Sequence, residues 1–181
     1  MKLISSEEIC RTPIFRVTMD RAVDPGGFEI RRAVVQHAGS AVMMPVDGQG
    51  RVLLVRQYRL PARAYLWELS AGRVDPGETP LKAAKRELIE ETGYRARKWS
   101  KLGAFFPSPG YVAERMTIYA AQELTAGLAT PMEDERIETR WFPMREIAAM
   151  IESGRIRDAK TIAGYALWQM KGRKTRSGGK R

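Results

Sequence analysis

GRVDPGETPLKAAKRELIEETGY, Gly72 to Tyr94, decides how the rest of the chain is read. Glu87, Glu90 and Glu91 stand three and four residues apart, so a helix places them on one face. Carboxylates placed that way repel one another and destabilise an isolated helix. Lys85 and Arg86 are the nearest cations in sequence, and monovalent side chains match three carboxylates poorly. A hard divalent cation with oxygen ligands matches them well. The bland alternative is a solvated acidic face. The flanking residues argue against it. Asp75-Pro76-Gly77 is a turn, Thr79 is an N-cap and Pro80 suits the first helical position. Leu81, Ala84 and Leu88 form an apolar stripe, and Gly93 is a stop. The acidic face therefore belongs to a short helix of about three to four turns, docked on a core and entered from a tight loop.

The 181 residues suit one domain with a small appendage, and the 44% hydrophobic content fits an ordinary globular protein. Cys10 stands alone, which excludes a disulfide framework and a cysteine metal site and suits a reducing cytoplasmic setting. The N-terminal MKLISSEEICRT has no apolar segment and carries Glu7 and Glu8, so it does not read as a secretory signal. No apolar run is long enough to span a bilayer. The net charge of +10 implies anionic partners. Part of it lies in residues 172–181, read as a basic disordered tail. That tail has no aromatic residue to stack on bases, so it argues little for nucleic acid.

Outward from the helix, the chain reads as strands at Phe15–Met19, Phe28–Gln36, Ser40–Val46, Arg51–Leu60, Leu66–Leu69, Arg97–Phe106, Met116–Gln122 and Ile137–Phe142. Asp47-Gly48 marks a hairpin turn, and Val52 to Val55 suggests a strand buried on both faces. Two further helices are expected, from Pro143 to about Glu152 and from Asp158 to Met170. This is an α/β layered pattern. Residues 1–38 form a small N-terminal antiparallel β hairpin, and residues 39–171 form the main domain.

The opening stretch resembles the Nudix box, G-x5-E-x7-R-E-U-x-E-E-x-G-U with U apolar, and every fixed position is met. Tyr94 is aromatic where an aliphatic residue is more usual, at a packing position. Outside the box, Arg56-Gln57-Tyr58-Arg59, Leu66-Trp67-Glu68-Leu69-Ser70-Ala71-Gly72 and Ser108-Pro109-Gly110-Tyr111 with Glu114 resemble the ADP-ribose pyrophosphatase branch. Pro109 lies sixteen residues past Gly93, as in that branch. Met132 to Glu138 with Trp141, and Asp158 with Thr161, fit it too. Ser70 departs from the proline common there, which bears on loop stiffness.

The resemblance implies a Nudix-type α/β/α sandwich with a mixed sheet. It implies an Mg2+ enzyme, with Mn2+ as the alternative, that hydrolyses ADP-ribose to AMP and ribose 5-phosphate. Glu87 and Glu91 would bind metal, with Glu90 and the carbonyl of Ala71 completing the site. Glu78 would pair with Arg86. The carboxylate that positions or deprotonates water would be Glu135, with Glu133 second. Arg56, Glu68, Gly110 and Glu114 would contact substrate. Arg31 or Arg32 would reach the partner's substrate in an intertwined homodimer, through the N-terminal hairpin.

The chemistry agrees. Two phosphates repel a nucleophile, and divalent ions neutralise them while acidifying a bound water. Arginine offers planar bidentate contacts to phosphate. With one histidine, His37, and one cysteine, a histidine-based triad is not expected; His37 reads as a structural or exposed turn residue. Trp67, Met43 and Met44 read as core. The rivals are hydrolysis of GDP-mannose, NADH or a diadenosine polyphosphate, and a non-catalytic nucleotide sensor or RNA-binding module.

Overall fold

The strand Ser40–Pro45 is buried at every residue, so both its faces meet other layers. In the computed structural model, which describes residues 1–130 and 136–177, it is β4 in the following order. The strands are β1 (Lys2–Arg11), β2 (Arg16–Val23), β3 (Glu29–Gln36), β4, β5 (Arg51–Arg59), β6 (Ala64–Glu68), β7 (Ala71–Arg73), β8 (Arg95–Phe105), β9 (Met116–Thr125) and β10 (Glu138–Pro143). The helices are α1 (Pro80–Thr92), between β7 and β8, then α2 (Met144–Glu152) and α3 (Ala159–Ser177).

Among the described residues the strands form three sheets, ordered β1-β2-β3, β10-β5-β6 and β7-β4-β9-β8. The β4–β9 pairing is parallel and the other strand pairings are antiparallel, so the last sheet is mixed. Alternation along β4 divides the core in two. Ala41 and Met43 meet Ala83, Ala84 and Leu88 of α1. Val42 and Met44 point the other way, into a cluster with Leu54 of β5, Phe142 of β10 and Ile147 of α2. Trp67 joins this second cluster, edge-on to Phe142 at 4.9 Å between ring centroids. The layered α/β expectation holds.

α1 begins and ends where its sequence says. The Thr79 side chain accepts from the Lys82 N–H at 3.3 Å, and Pro80 follows. Gly93 closes the helix at φ 74°, donating to the Ile89 carbonyl at 2.8 Å. A side chain at Gly93 would also run into the backbone of Gly127 and Ala129, so the loop after β9 lies against the end of α1. Tyr94 sits edge-on to Trp141, and its hydroxyl accepts from the indole N–H at 3.3 Å.

Three features differ from expectation. The N-terminal unit is a three-stranded sheet, because Lys2–Arg11 pairs with β2. Ala71–Arg73 is a short strand held by β4. α3 continues to Ser177, into the segment expected to be tail. No helix among the described residues is long and apolar enough to cross a membrane.

Candidate active site

α1 presents Glu87, Glu90 and Glu91 to a cavity of about 990 Å3, shared with Ala71, Gly72, Arg59, Glu68 and Glu114. The loop before α1 and the later turns of the helix are knitted by one guanidinium. Arg86 donates to Glu78 (3.0 and 3.3 Å), Glu87 (2.6 Å) and Glu90 (3.0 Å), and lies 3.6 Å from Asp75. It also donates to the Arg73 carbonyl at 3.1 Å. Monovalent compensation is thus larger than the sequence suggested. Four carboxylates still share this guanidinium, with Arg73 also 3.4 Å from Asp75, and Glu91, 5% exposed, adds a fifth nearby. The hydrogen bonds from Arg86 hold the Glu78 carboxyl below its ordinary pKa. The same bonds raise the pKa of Arg86 itself.

The donors fit a hard divalent cation. All are oxygens, and acid exceeds base. Gly72 supplies a second sign of design. A Cβ there would overlap the Glu87 carboxylate, so only glycine lets that group lie against the strand leading into the loop. Among the described residues no three acidic, histidine or cysteine side chains form a ready-made cage. Arg86 engages Glu87 and Glu90. A metal held by Glu87, Glu90, Glu91 and the Ala71 carbonyl would share two of these groups with Arg86.

Opposite α1 lies a second charged cluster. Antiparallel pairing sets Val55 across from Glu68 and Arg59 across from Ala64, so Arg59 and Glu68 share a face of the β5–β6 hairpin. Arg59 Nε and Nη2 donate to the two oxygens of Glu68 at 2.8 and 3.2 Å. Burial opposes the charge on Arg59, but the Glu68 contacts outweigh it and its pKa is raised. Asp158, whose carboxylate caps α3 by accepting the Thr161 N–H at 2.9 Å, and Lys160 complete this wall.

At the cavity's third side, the loop after β8 is zipped to the β3–β4 junction. Val35 donates to the Tyr111 carbonyl at 2.8 Å, Ala113 to Val35 at 2.9 Å and Ser40 to Arg115 at 3.0 Å. The Ser40 hydroxyl donates to Glu114. His37 also lines the cavity, at the β3–β4 junction. Its Nδ1 accepts the Gly39 N–H at 3.0 Å, which leaves the proton of the neutral ring on Nε2.

Of the residues singled out from sequence, Glu68, Ala71, Glu87, Glu90, Glu91 and Glu114 therefore meet at one cavity. Arg56 does not line it. It is one register away from Glu68, over the Tyr65 ring at 4.8 Å and 3.2 Å from Glu138. Arg31 and Arg32 lie exposed on β3, and Gly110 is exposed in its loop. Glu133 and Glu135 lie outside the described residues. Thr130, just before them, lines the cavity and donates to the Glu90 carbonyl at 3.0 Å. Arg59, Lys160, Ser40 and His37 were missed. Strand register would have favoured Arg59 over Arg56; no local signal marks the others.

The NUDIX domain family matches residues 36–165. The ADP-ribose pyrophosphatase of Bacillus subtilis (strain 168) is 32% identical over 172 residues, 94% of this chain and 93% of that one. A GDP-mannose pyrophosphatase of Yersinia pestis (strain Pestoides F) is 34% identical over 162 residues, 82% of this chain and 80% of that one. A crystal structure of an ADP compounds hydrolase superposes with a TM-score of 0.81 at 23% identity, covering 96% of both chains.

Proposed function

The chain belongs to the NUDIX domain family and is a pyrophosphohydrolase, and from that premise we propose that it hydrolyses ADP-ribose to AMP and ribose 5-phosphate, with Mg2+ as its metal. The observation that carries the reading is the excess of carboxylate on α1, open to a cavity whose far wall carries Arg59. The family is one of divalent-metal hydrolases. When bound there, the metal neutralises phosphate oxygens and lowers the pKa of a bound water. Glu87, Glu90, Glu91 and the Ala71 carbonyl would hold it. Arg59, with its side chain 40% exposed, offers its guanidinium to a phosphate. Glu114, held by Ser40, contacts the substrate. Glu135, or Glu133 in its place, takes the proton of the attacking water. Thr130 brings the chain to the cavity just before that segment.

The substrate is a nucleoside diphosphate derivative in either of two versions. The B. subtilis relative, matched along nearly its whole length, favours ADP-ribose. The Yersinia relative keeps GDP-mannose as the second. We also infer a homodimer in the cytoplasm. β1 is exposed along its length, with Leu3, Ile4 and Ile9 uncovered, and Phe28 is exposed at the start of the second hairpin. A second copy would cover them, and Arg31 or Arg32 would then face the partner's cavity. Light scattering that gives a monomer mass would remove that part.

The deciding experiment is AMP release from ADP-ribose with and without Mg2+, beside GDP-mannose and NADH. Metal-dependent turnover fastest on ADP-ribose is the expected result. Faster turnover of GDP-mannose would move the substrate to the second version. Metal-independent turnover would overturn the role given to α1.

A further inference from the structure

Lys160 has no role in the chemistry above, yet its ammonium is buried in the cavity wall, with 7% of the side chain exposed. A buried ammonium is tolerated only when paired. Lys160 donates to Glu68 Oε2 and, at 3.0 Å, to Asp158 Oδ1. Asp158 Oδ2 accepts from the Thr161 hydroxyl at 2.5 Å, and that hydroxyl accepts the Leu69 N–H at 2.8 Å. Leu69 follows Glu68 in the chain, so these bonds close a ring between the end of β6 and the head of α3. Arg59 hangs from the ring through Glu68 and is its most exposed charged member.

Glu68, only 1% exposed, needs its charge matched from all sides. Two carboxylates, Glu68 and Asp158, meet two cations, Arg59 and Lys160. With Lys160 behind Glu68, Arg59 is not the sole counter-charge of a buried carboxylate. Its guanidinium keeps its fixed side-on geometry, and its positive charge stays available to the cavity. Without Lys160, Glu68 would draw Arg59 inward. We propose that Lys160 is a positioning residue for substrate binding, neutralising Glu68 from behind so that Arg59 stays aimed at a substrate phosphate. The proposal rests on the reading that a nucleoside diphosphate derivative occupies this cavity.

Steady-state kinetics of the full chain with Mg2+, on the better of ADP-ribose and GDP-mannose, test it. Lys160→Met should raise KM about tenfold and leave kcat within about twofold, since a charge-assisted bond set is lost at a binding group. Lys160→Arg should restore most of the loss. An unchanged KM in Lys160→Met, whatever its melting temperature, overturns the proposal. So does a fall in kcat with KM unchanged. Should Lys160→Met not fold, Glu68→Gln with Lys160→Met removes both charges together. Measured against Glu68→Gln alone, an equal KM in the double variant supports the proposal, because Lys160 then has no carboxylate to neutralise, and a further rise in KM overturns it. No turnover of any such substrate by the unmodified chain would sink the functional reading itself, which separates the two failures.

Discussion

Two ionic clusters line one cavity, and they solve opposite problems. On α1 and the loop before it, Asp75, Glu78, Glu87 and Glu90 share Arg86, and Glu91 stands beside them. On the far wall, Glu68 and Asp158 are matched by Arg59 and Lys160. The first cluster is left with surplus negative charge and is half-open to solvent. The second is neutral and largely buried. Surplus charge makes affinity for an outside cation; neutrality in a low dielectric makes fixed geometry. The first is therefore the place to look for metal, and the second for the orientation of substrate.

The sharpest way to break this contrast is to subtract charge from the first cluster. Glu91→Gln keeps the shape and should lower turnover about a thousandfold, because metal-dependent charge stabilisation amounts to several kcal/mol. The melting temperature should move little. Normal turnover would remove α1 as the metal helix. Next comes Gly72→Ala. The added methyl overlaps the Glu87 carboxylate and should displace it, with turnover falling about a hundredfold.

Arg86→Ala tests the surplus directly. Its four carboxylates lose their shared partner, and unfolding without metal should become easier by about 2 kcal/mol. Added Mg2+ should recover part of that in thermal melts. The matched cluster offers the control: melts of Lys160→Met should gain no comparable recovery from Mg2+.

The smallest effect is on acid stability. Arg86 lowers the Glu78 pKa in the folded chain, so the contribution is complete above the ordinary value of 4.5. It fades as pH falls through the lowered folded value. Glu78→Gln should therefore lower the melting temperature slightly at neutrality, where the contribution is complete, and converge on the unmodified chain in acid, which flattens the acid limb of melting temperature against pH.

What could be read in the chain follows the same division. The α1 cluster is local. Thr79, Pro80 and Gly93 are chemical signals for its ends, and the carboxylate spacing follows from 3.6 residues per turn. β4 and β5 were legible because strands buried on two faces are nearly all apolar. The matched cluster is not local. Arg59 rather than Arg56 meets Glu68 because of the β5–β6 register, and Lys160 arrives from a distant helix. β1 has no apolar alternation, since every residue in it is exposed, and it exists by pairing with β2. β7 is too short to carry a pattern and is held by β4. In α3, the basic composition after Met170 hid a helix that continues to Ser177.

The ring that joins Leu69 to Thr161 spans 92 residues of sequence, and Ser40 meets Glu114 across 74. Contacts of that reach close late, because loop entropy must be overcome before they form. During synthesis, α1 and its carboxylates leave the ribosome well before α3 does. A nascent chain halted before Asp158 would carry α1, Arg59 and Glu68 but lack Asp158 and Lys160. Competence to bind substrate should therefore appear only once α3 has emerged and closed the ring.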